Sequence, residues 1–259
     1  MGALIDITQD GRVLTLELNR PKQMNALNSE VLRLLLGAFE DIQDDSSVGC
    51  VVIRGAGERA FSAGADLEEI RGLRVEDAQA FIQTGHRTMS AIASSSVPVI
   101  AEVDGFALGG GFEMMLACHL VIASDRSRFG LPEARIGCIP GFGGTQRLVA
   151  SVGKPAAMHL MLSGEPIEAD RAWQIGLLSL PPLDPAELPQ ETGRLASLIA
   201  SGSRTGLANI LEAARPAFAP AALAQEAALA AISIASRDGQ EGITSFAERR
   251  DPDFHKEKP

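Results

Sequence analysis

Short apolar runs alternate with segments of helical length through the first half of this 259-residue chain. The runs at residues 50–54, 97–103 and 120–124 have the length and composition of buried strands. A long helical stretch at residues 75–94 separates the first run from the second, and another helix restarts at residues 113–118. Because parallel strands need crossover connections of helical length, this alternation predicts an α/β fold whose mostly parallel strands are covered by helices.

The start of the chain is predicted to form a β-hairpin followed by a helix. Residues 3–19 alternate between apolar and polar side chains, and an Asp-Gly dipeptide at residues 10–11 interrupts them, as in a tight turn. Asn28 or Ser29 can then cap a helix that runs to about Asp44.

The composition changes near residue 185, where prolines are followed by alanine-rich segments. We therefore divide the chain into a core of residues 1–184 and a helical region of residues 185–259. Helices without a sheet of their own must bury an apolar face against the core or another subunit, so we expect an oligomer. The helical segments are predicted at residues 186–200, 207–214, 221–235 and 240–249.

The overall charge argues against a nucleic-acid partner. The net charge of −10 and the pI of about 4.9 repel polyanions. No basic segment precedes an apolar run at the N-terminus, and no apolar stretch is long enough to span a bilayer. The three cysteines, Cys50, Cys118 and Cys138, fit neither a disulfide framework nor a metal site. We expect a cytoplasmic protein with no membrane partner and no metal.

Two glutamates, Glu113 and Glu133, lie in apolar, glycine-rich sequence between residues 107 and 148. A carboxylate moved out of water without a partner raises its pKa, which suits a group that exchanges protons near neutral pH. The leading interpretation is general acid and base catalysis. The alternative for each glutamate is a solvated position or a salt bridge, to Arg128 or Arg135 for example.

Two loops of small residues can present backbone amides to a ligand. Gly109-Gly110-Gly111 stands between a strand and a helix, and residues 61–69 follow a buried strand, with Asp66 able to cap what comes next. If the loops converge, the amides of Ala65 and Gly110 would stabilise an enolate oxygen. The alternative for each loop is a tight turn whose small residues serve packing and bind no ligand.

Four blocks of sequence, in order and at matching spacing, resemble the enoyl-CoA hydratase/isomerase, or crotonase, superfamily. The resemblance runs from about Leu4 to Phe254. It implies a spiral core of repeated ββα units with a C-terminal α-helical trimerisation region that also closes the pocket, assembled as homotrimers or as homohexamers built from two trimers. The four blocks are residues 19–28, 60–69, 105–113 and 129–148.

The resemblance also implies roles for individual residues. Ala65 and Gly110 match the oxyanion amides, and Glu113 and Glu133 match the two glutamates of the hydratases. Relatives that only move a double bond usually lack the glutamate at position 113, so the pair favours hydration of a trans-2-enoyl-CoA. Coenzyme A is part of the substrate, and no other cofactor is expected. The positions matching its binding residues are Ala63, Ala65, Asp66, Leu67, Glu68, Gly110, Phe246 and Arg249, the last two facing a neighbouring subunit's ligand.

Three positions depart from the family pattern. Glu68 stands where some hydratases have a lysine for coenzyme phosphate, and it would repel that phosphate if it faced inward. His119 replaces a common aspartate and is expected to be a hydrogen-bonded structural residue. Glu102 replaces a common alanine, and it is either a partnered core carboxylate or a group that projects into the acyl pocket.

The sequence therefore predicts a hydro-lyase that acts on acyl-CoA thioesters. A double-bond isomerase or another crotonase-type lyase is the enzymatic alternative. A noncatalytic acyl-CoA-binding or RNA-binding scaffold is the alternative of another class, against which the acidic pI and the two glutamates both argue.

Overall fold

The computed structural model describes residues 3–214 and 220–253. The strands are β1 (Ile5–Asp10), β2 (Val13–Leu18), β3 (Cys50–Gly55), β4 (Ala60–Ser62), β5 (Val99–Val103), β6 (Phe106–Leu108), β7 (Leu120–Ala123), β8 (Arg128–Gly130) and β9 (Ile167–Glu168). The helices of the core are α1 (Ser29–Asp44), α2 (Leu67–Ile70), α3 (Val75–Ala93), α4 (Gly110–Ala117), α5 (Gly144–Val152), α6 (Lys154–Ser163) and α7 (Ala169–Gln174). The C-terminal helices are α8 (Leu188–Ala200), α9 (Arg204–Ala214), α10 (Pro220–Ala235) and α11 (Arg237–Ala247).

The larger sheet has five strands in the order β1-β2-β3-β5-β7. The predicted hairpin is confirmed, because β1 and β2 pair antiparallel with Asp10 opposite Val13. The following pairs are all parallel, as the crossover lengths predict. Helix α1 begins as expected, with the Asn28 side chain accepting a hydrogen bond from the backbone nitrogen of Val31.

A second sheet, in the order β4-β6-β8-β9, was not predicted from the sequence. Its first three strands are parallel and only three residues long, too short to give a periodic pattern. Each of the pairs β3-β4, β5-β6 and β7-β8 gives one strand to each sheet before a helix or a 3₁₀ turn follows. The chain thus winds as repeated ββα units, and the expected α/β spiral is confirmed.

The parallel strands β4, β6 and β8 end at the same edge of the second sheet. Residues 63–66 follow β4, Gly109 and Gly110 follow β6, and Leu131 to Glu133 follow β8. The second sheet therefore brings together three segments that are far apart in sequence, at the edge where α/β folds commonly bind ligands.

The described residues beyond 184 contain helices and no strand. Helix α8 covers the outer face of the larger sheet, where its Leu188 and Ala196 join Val52 and Ile100 in an apolar cluster. Helix α10 packs along α3 instead, with Ala230, Ala231 and Ile234 buried in the main core. Whether residues 185–259 form a separate oligomerisation region stays a prediction, and Phe254, at the end of the resemblance, lies outside the described residues.

No helix in the described part of the chain combines the length and the apolar character needed to cross a membrane. All three cysteines, Cys50, Cys118 and Cys138, carry free thiols, as their spacing predicts.

Candidate active site

A cavity of about 860 Å³ opens at the shared edge of β4, β6 and β8. Helix α3 and helix α10 form its inner wall, and α11 with the segment after it reaches its mouth. Its inner lining is apolar and includes Ile70, Phe81, Ile82, Ile139, Phe142 and Ile234. The described residues that carry charge in the lining are Glu113, Glu133, Arg135, Arg250 and Asp251.

Two free backbone amides meet in this cavity. Neither the nitrogen of Ala65 nor that of Gly110 donates a hydrogen bond to any described residue. The two groups are adjacent, because a Cβ added to Gly110 would lie 3.4 Å from the nitrogen of Ala65. Gly110 opens α4, so its amide also carries the partial positive charge of a helix N-terminus. The predicted convergence of the two loops is therefore present, and the pair can stabilise a developing oxyanion.

The turn between β6 and α4 depends on Gly109. Its φ of 52° and ψ of −129° suit glycine alone. A Cβ at this position would lie 3.0 Å from Oε1 of Glu133. The missing side chain lets the backbone of the turn approach that carboxyl group closely.

Glu113 is fixed on its helix by amides from another loop. It is 2% exposed, and its Oε1 accepts hydrogen bonds of 2.7 Å from the backbone nitrogens of both Phe142 and Gly144. Such charge-assisted bonds favour the ionised carboxylate and hold it in one orientation.

Glu133 is held less tightly. It lies in a 3₁₀ turn, Pro132–Ile136, and is partly buried. Its Oε2 is shielded from solvent and has no hydrogen-bond partner among the described residues. Neither Glu113 nor Glu133 pairs with Arg128 or Arg135 in the described part of the chain, and Arg128 pairs with Glu168 instead. The solvated alternative is thus wrong for Glu113, and neither glutamate forms the suggested salt bridge to Arg128 or Arg135 among the described residues.

Burial and neighbouring negative charge raise the pKa of both carboxyl groups. Burial raises the pKa of Glu113 well above its usual range, the charges of Glu133 and Glu226 raise it further, and the two amide bonds oppose the rise. Burial also raises the pKa of Glu133 to about 7, with a further upward contribution from Glu226. Because two like charges in one buried site cannot both ionise easily, the pair retains a proton near neutral pH. Such a pair can take a proton from one group while giving a proton to another.

The loop between β8 and α5 closes the inner end of the cavity. Phe142 is 2% exposed, and its ring lies 5.6 Å from that of Phe81. Gly85 on α3 makes room for it, because a Cβ there would overlap the Phe142 ring. The same ring lies over Gly110, whose Cβ would come within 2.9 Å of it. Phe142 therefore stands between the amide pair and the far wall of the cavity.

The remaining predicted binding residues fall into two groups. Ala63, Ala65, Leu67, Gly110 and Phe246 line the cavity. The structure does not place the other three in its wall. Asp66 caps α2 and pairs with Arg20 at 2.8 Å, Glu68 faces solvent, and Arg249 is exposed with a φ of 55°.

Glu102 lies outside this cavity, so the hypothesis that it selects polar acyl groups is wrong. Its side chain points to the outer face of the larger sheet and lines a separate cleft of about 220 Å³ beneath α8. There its Oε1 lies 4.0 Å from Nη1 of Arg54. His119 is a hydrogen-bonded structural residue, as expected, since its Nδ1 accepts from the backbone nitrogen of Val99 at 3.0 Å.

Sequence reasoning missed another buried glutamate close to Glu113 and Glu133. Glu226 on α10 is 4% exposed and accepts a 2.5 Å hydrogen bond from the backbone nitrogen of Gly143. It stands in an alanine-rich segment where nothing distinguishes it from a surface residue, and its partners lie about 80 positions away. Buried Arg147, whose Nη1 donates to the carbonyl of Phe142, was also missed.

Known proteins resemble this chain along nearly its whole length. The family model for enoyl-CoA hydratase/isomerase matches residues 8–257. The 2,3-dehydroadipyl-CoA hydratase of Escherichia coli K12 is 40% identical, and the match covers 96% of this chain and 97% of that protein. The crotonyl-CoA hydratase of Syntrophomonas wolfei is 36% identical over 96% of this chain and 97% of its own. The crystal structure of an enoyl-CoA hydratase from Bacillus anthracis superposes with a TM-score of 0.81 at 32% identity, covering 97% and 99% of the two chains.

Proposed function

The chain belongs to the enoyl-CoA hydratase/isomerase family, and on that premise we propose that it hydrates trans-2-enoyl-CoA thioesters to 3-hydroxyacyl-CoA. One observation carries the proposal: two glutamates with raised pKa values share a cavity with two backbone amides that donate to no described residue. The hydratase names of similar proteins support it, including the crotonyl-CoA hydratase.

The free amides of Ala65 and Gly110 bind the thioester oxygen. They polarise the conjugated system and then stabilise the enolate that forms when water adds to C3. Each such donor contributes roughly 3 kcal/mol to transition-state stabilisation. The helix dipole of α4 acts in the same direction at Gly110.

Glu113 acts as the base and Glu133 as the acid. Burial and neighbouring charge raise the pKa of both carboxyl groups, but two amide bonds oppose the rise at Glu113, whereas Oε2 of Glu133 has no hydrogen-bond partner among the described residues, so we assign the shared proton to Glu133. Glu113 takes a proton from water as the oxygen bonds to C3, and the electrons of the double bond move onto the thioester oxygen. Glu133 then gives its proton to C2, and the thioester carbonyl re-forms. The proton gained by Glu113 restores Glu133 for the next turnover.

The inner cavity suits an apolar acyl chain. Phe81, Ile82, Phe142 and Ile234 form its walls, and the basic residues of the lining, Arg135 and Arg250, are exposed to solvent. The Escherichia coli relative is named for a dehydroadipyl substrate, whose acyl end carries a carboxylate. Such an end group would lose its hydration here without gaining a partner, so we propose that this chain prefers unsubstituted acyl groups.

Coenzyme A enters as part of the substrate, and no other cofactor is needed for this proton chemistry. The proposed contacts are the loop from Ala63 to Glu68 together with Phe246 and Arg249. Phe246 is 64% exposed at the cavity mouth, where it can stack on a coenzyme of its own or a neighbouring subunit. The exposed apolar Leu229 and Ile232 on α10 support a homotrimer or a dimer of trimers. We also propose a cytoplasmic location.

The test is a comparison of two reactions. Hydration of crotonyl-CoA removes the absorbance of the conjugated thioester, whereas conversion of a 3-enoyl-CoA creates it. We expect rapid loss with crotonyl-CoA and little gain with the 3-enoyl substrate. Preferential conversion of the 3-enoyl substrate would indicate an isomerase, and binding of either substrate without turnover would indicate a scaffold.

A further inference from the structure

Glu226 connects the C-terminal helix α10 to the loop that holds Glu113. Its Oε1 accepts a hydrogen bond from the backbone nitrogen of Gly143 at 2.5 Å. Its Oε2 accepts from the backbone nitrogen of Thr145 at 2.9 Å and from the hydroxyl of the same residue. Both carboxylate oxygens therefore accept hydrogen bonds from the segment of residues 143–145, and the side chain is almost completely shielded from solvent.

The amides of this segment alternate between two carboxylates. Phe142 and Gly144 donate to Glu113, while Gly143 and Thr145 donate to Glu226. Because consecutive amides point to opposite sides, the loop is held by Glu113 of α4 on one side and by Glu226 of α10 on the other. We call this arrangement the clamp. A shift of the loop toward or away from Glu226 would move the amides that orient Glu113.

The charges around Glu226 show that this clamp is electrostatic as well as steric. Glu226 raises the pKa of both Glu113 and Glu133. His86 on α3 lies with its Nε2 3.3 Å from Oε1 of Glu226, without the geometry of a hydrogen bond. Arg147 on α5 is the buried cation of the cluster and interacts with both Glu113 and Glu226. Arg147 thus faces Glu113 and Glu226, and the imidazole of His86 lies beside Glu226.

We propose that Glu226 is a positioning residue for the hydration reaction: it fixes the loop at residues 142–145 so that Glu113 is held in its reactive orientation. The proposal rests on the proposed function. Glu226 lies outside the cavity wall, so it acts through the loop and through its charge rather than on the substrate.

Two substitutions separate the two effects of Glu226. Glu226→Gln removes the charge and puts an amide group against one of the two backbone donors, so it weakens the clamp and lowers the pKa of the glutamate pair. Glu226→Asp keeps the charge but withdraws the carboxylate by one methylene, so it weakens the clamp alone. Misplacement of a catalytic group by about 1 Å costs on the order of 100-fold in rate.

The matched control is Glu69→Gln. Glu69 on α2 makes the same kind of contact, accepting hydrogen bonds from the backbone nitrogen of Ser29, at 2.9 Å, and from its hydroxyl. It does not line the cavity. Its substitution reports the cost of breaking such a contact where no catalytic group is involved.

The experiment measures steady-state kinetics with crotonyl-CoA and the pH-dependent infrared band of protonated carboxyl groups, assigned with Glu113→Gln and Glu133→Gln. We expect both Glu226 variants to lose roughly 10-fold to 100-fold in kcat with KM changed much less. The carboxyl titration should move to lower pH in Glu226→Gln only. Glu69→Gln should keep the parent kcat and titration.

The infrared titration does not depend on which reaction the protein catalyses, so it remains informative if crotonyl-CoA proves to be the wrong substrate. Parent values of kcat and of the carboxyl titration in both Glu226 variants, with only a loss of thermal stability like that of Glu69→Gln, would overturn the proposal. If Glu226→Gln fails to fold, a parent kcat in Glu226→Asp overturns it equally.

Discussion

Oε1 of Glu113 lies 2.7 Å from the backbone nitrogen of Gly144, and a Cβ at Gly144 would lie 2.7 Å from that same oxygen. The carboxylate can reach the amide only because residue 144 has no side chain. The proposed catalytic geometry therefore depends on a residue that takes no part in the proposed chemistry.

Gly144→Ala should displace Glu113 without removing any reacting group. We expect kcat for crotonyl-CoA to fall by about 100-fold, with a loss of about 1–3 kcal/mol in the free energy of unfolding from overpacking. Gly37→Ala is the control, because a Cβ there meets nothing within 4 Å and Gly37 lies inside helix α1. That variant should gain about 0.5–1 kcal/mol and keep its kcat. Equal activity of the two variants would contradict the steric account.

Glu133→Gln should stabilise the fold more at high pH than at low pH. The pKa of Glu133 is raised to about 7 in the folded chain, above the usual value of 4.5. The unfolded chain therefore releases this proton first, and parent stability falls as the pH rises from about 4.5 through 7. Thermal unfolding should show a larger Tm gain for the variant at pH 8 than at pH 5. A gain that is the same at both pH values would show that the pKa of Glu133 is not raised.

Phe142→Leu should extend the range of acyl chains. The ring fills the space between Gly85 and Gly110, so a smaller side chain deepens the cavity. We expect kcat/KM for a ten-carbon enoyl-CoA to rise relative to crotonyl-CoA by roughly 10-fold. Phe39→Leu makes the same change at a buried position of α1 outside the cavity and should leave that ratio unchanged. A similar ratio in both variants would show that Phe142 does not limit chain length.

Glu102→Gln should have no effect on turnover. Glu102 lies under α8 in a different cleft, so kcat and KM should stay within about twofold of the parent for both short and long substrates. A change in kcat or KM for only one acyl group, measured with the same short and long substrates, would show that Glu102 does contact the acyl chain.

The sequence predicted the elements that are long or that begin or end at a recognisable turn or capping residue. The Asp-Gly turn, the Asn28 cap and the long helix α3 all follow from local chemistry. The strands β4, β6 and β8 did not, because three residues show no period. These short strands bring Ala65, Gly110 and Glu133 to one edge of the second sheet. The residues alone suggested that two loops could converge, and only the family resemblance assigned individual residues to the site.

Glu226 shows what sequence reading leaves out. A single glutamate in an alanine-rich helix is typical of a solvated face, and its burial depends on α10 packing along α3 and the 142–145 loop. Glu102 shows the converse. The sequence showed that this glutamate is unusual in an apolar strand. It did not show that the side chain lies on the outer face of the larger sheet, beneath α8.

The most direct test of the account is deuterium exchange at C2 of butyryl-CoA in D₂O, followed by NMR. This saturated thioester cannot add water, so exchange reports only the oxyanion amides and the group that moves the C2 proton. We predict that Glu113→Gln retains exchange while losing hydration of crotonyl-CoA, and that Glu133→Gln loses both. Exchange that survives in Glu133→Gln and disappears in Glu113→Gln would contradict the assignment of the two glutamates.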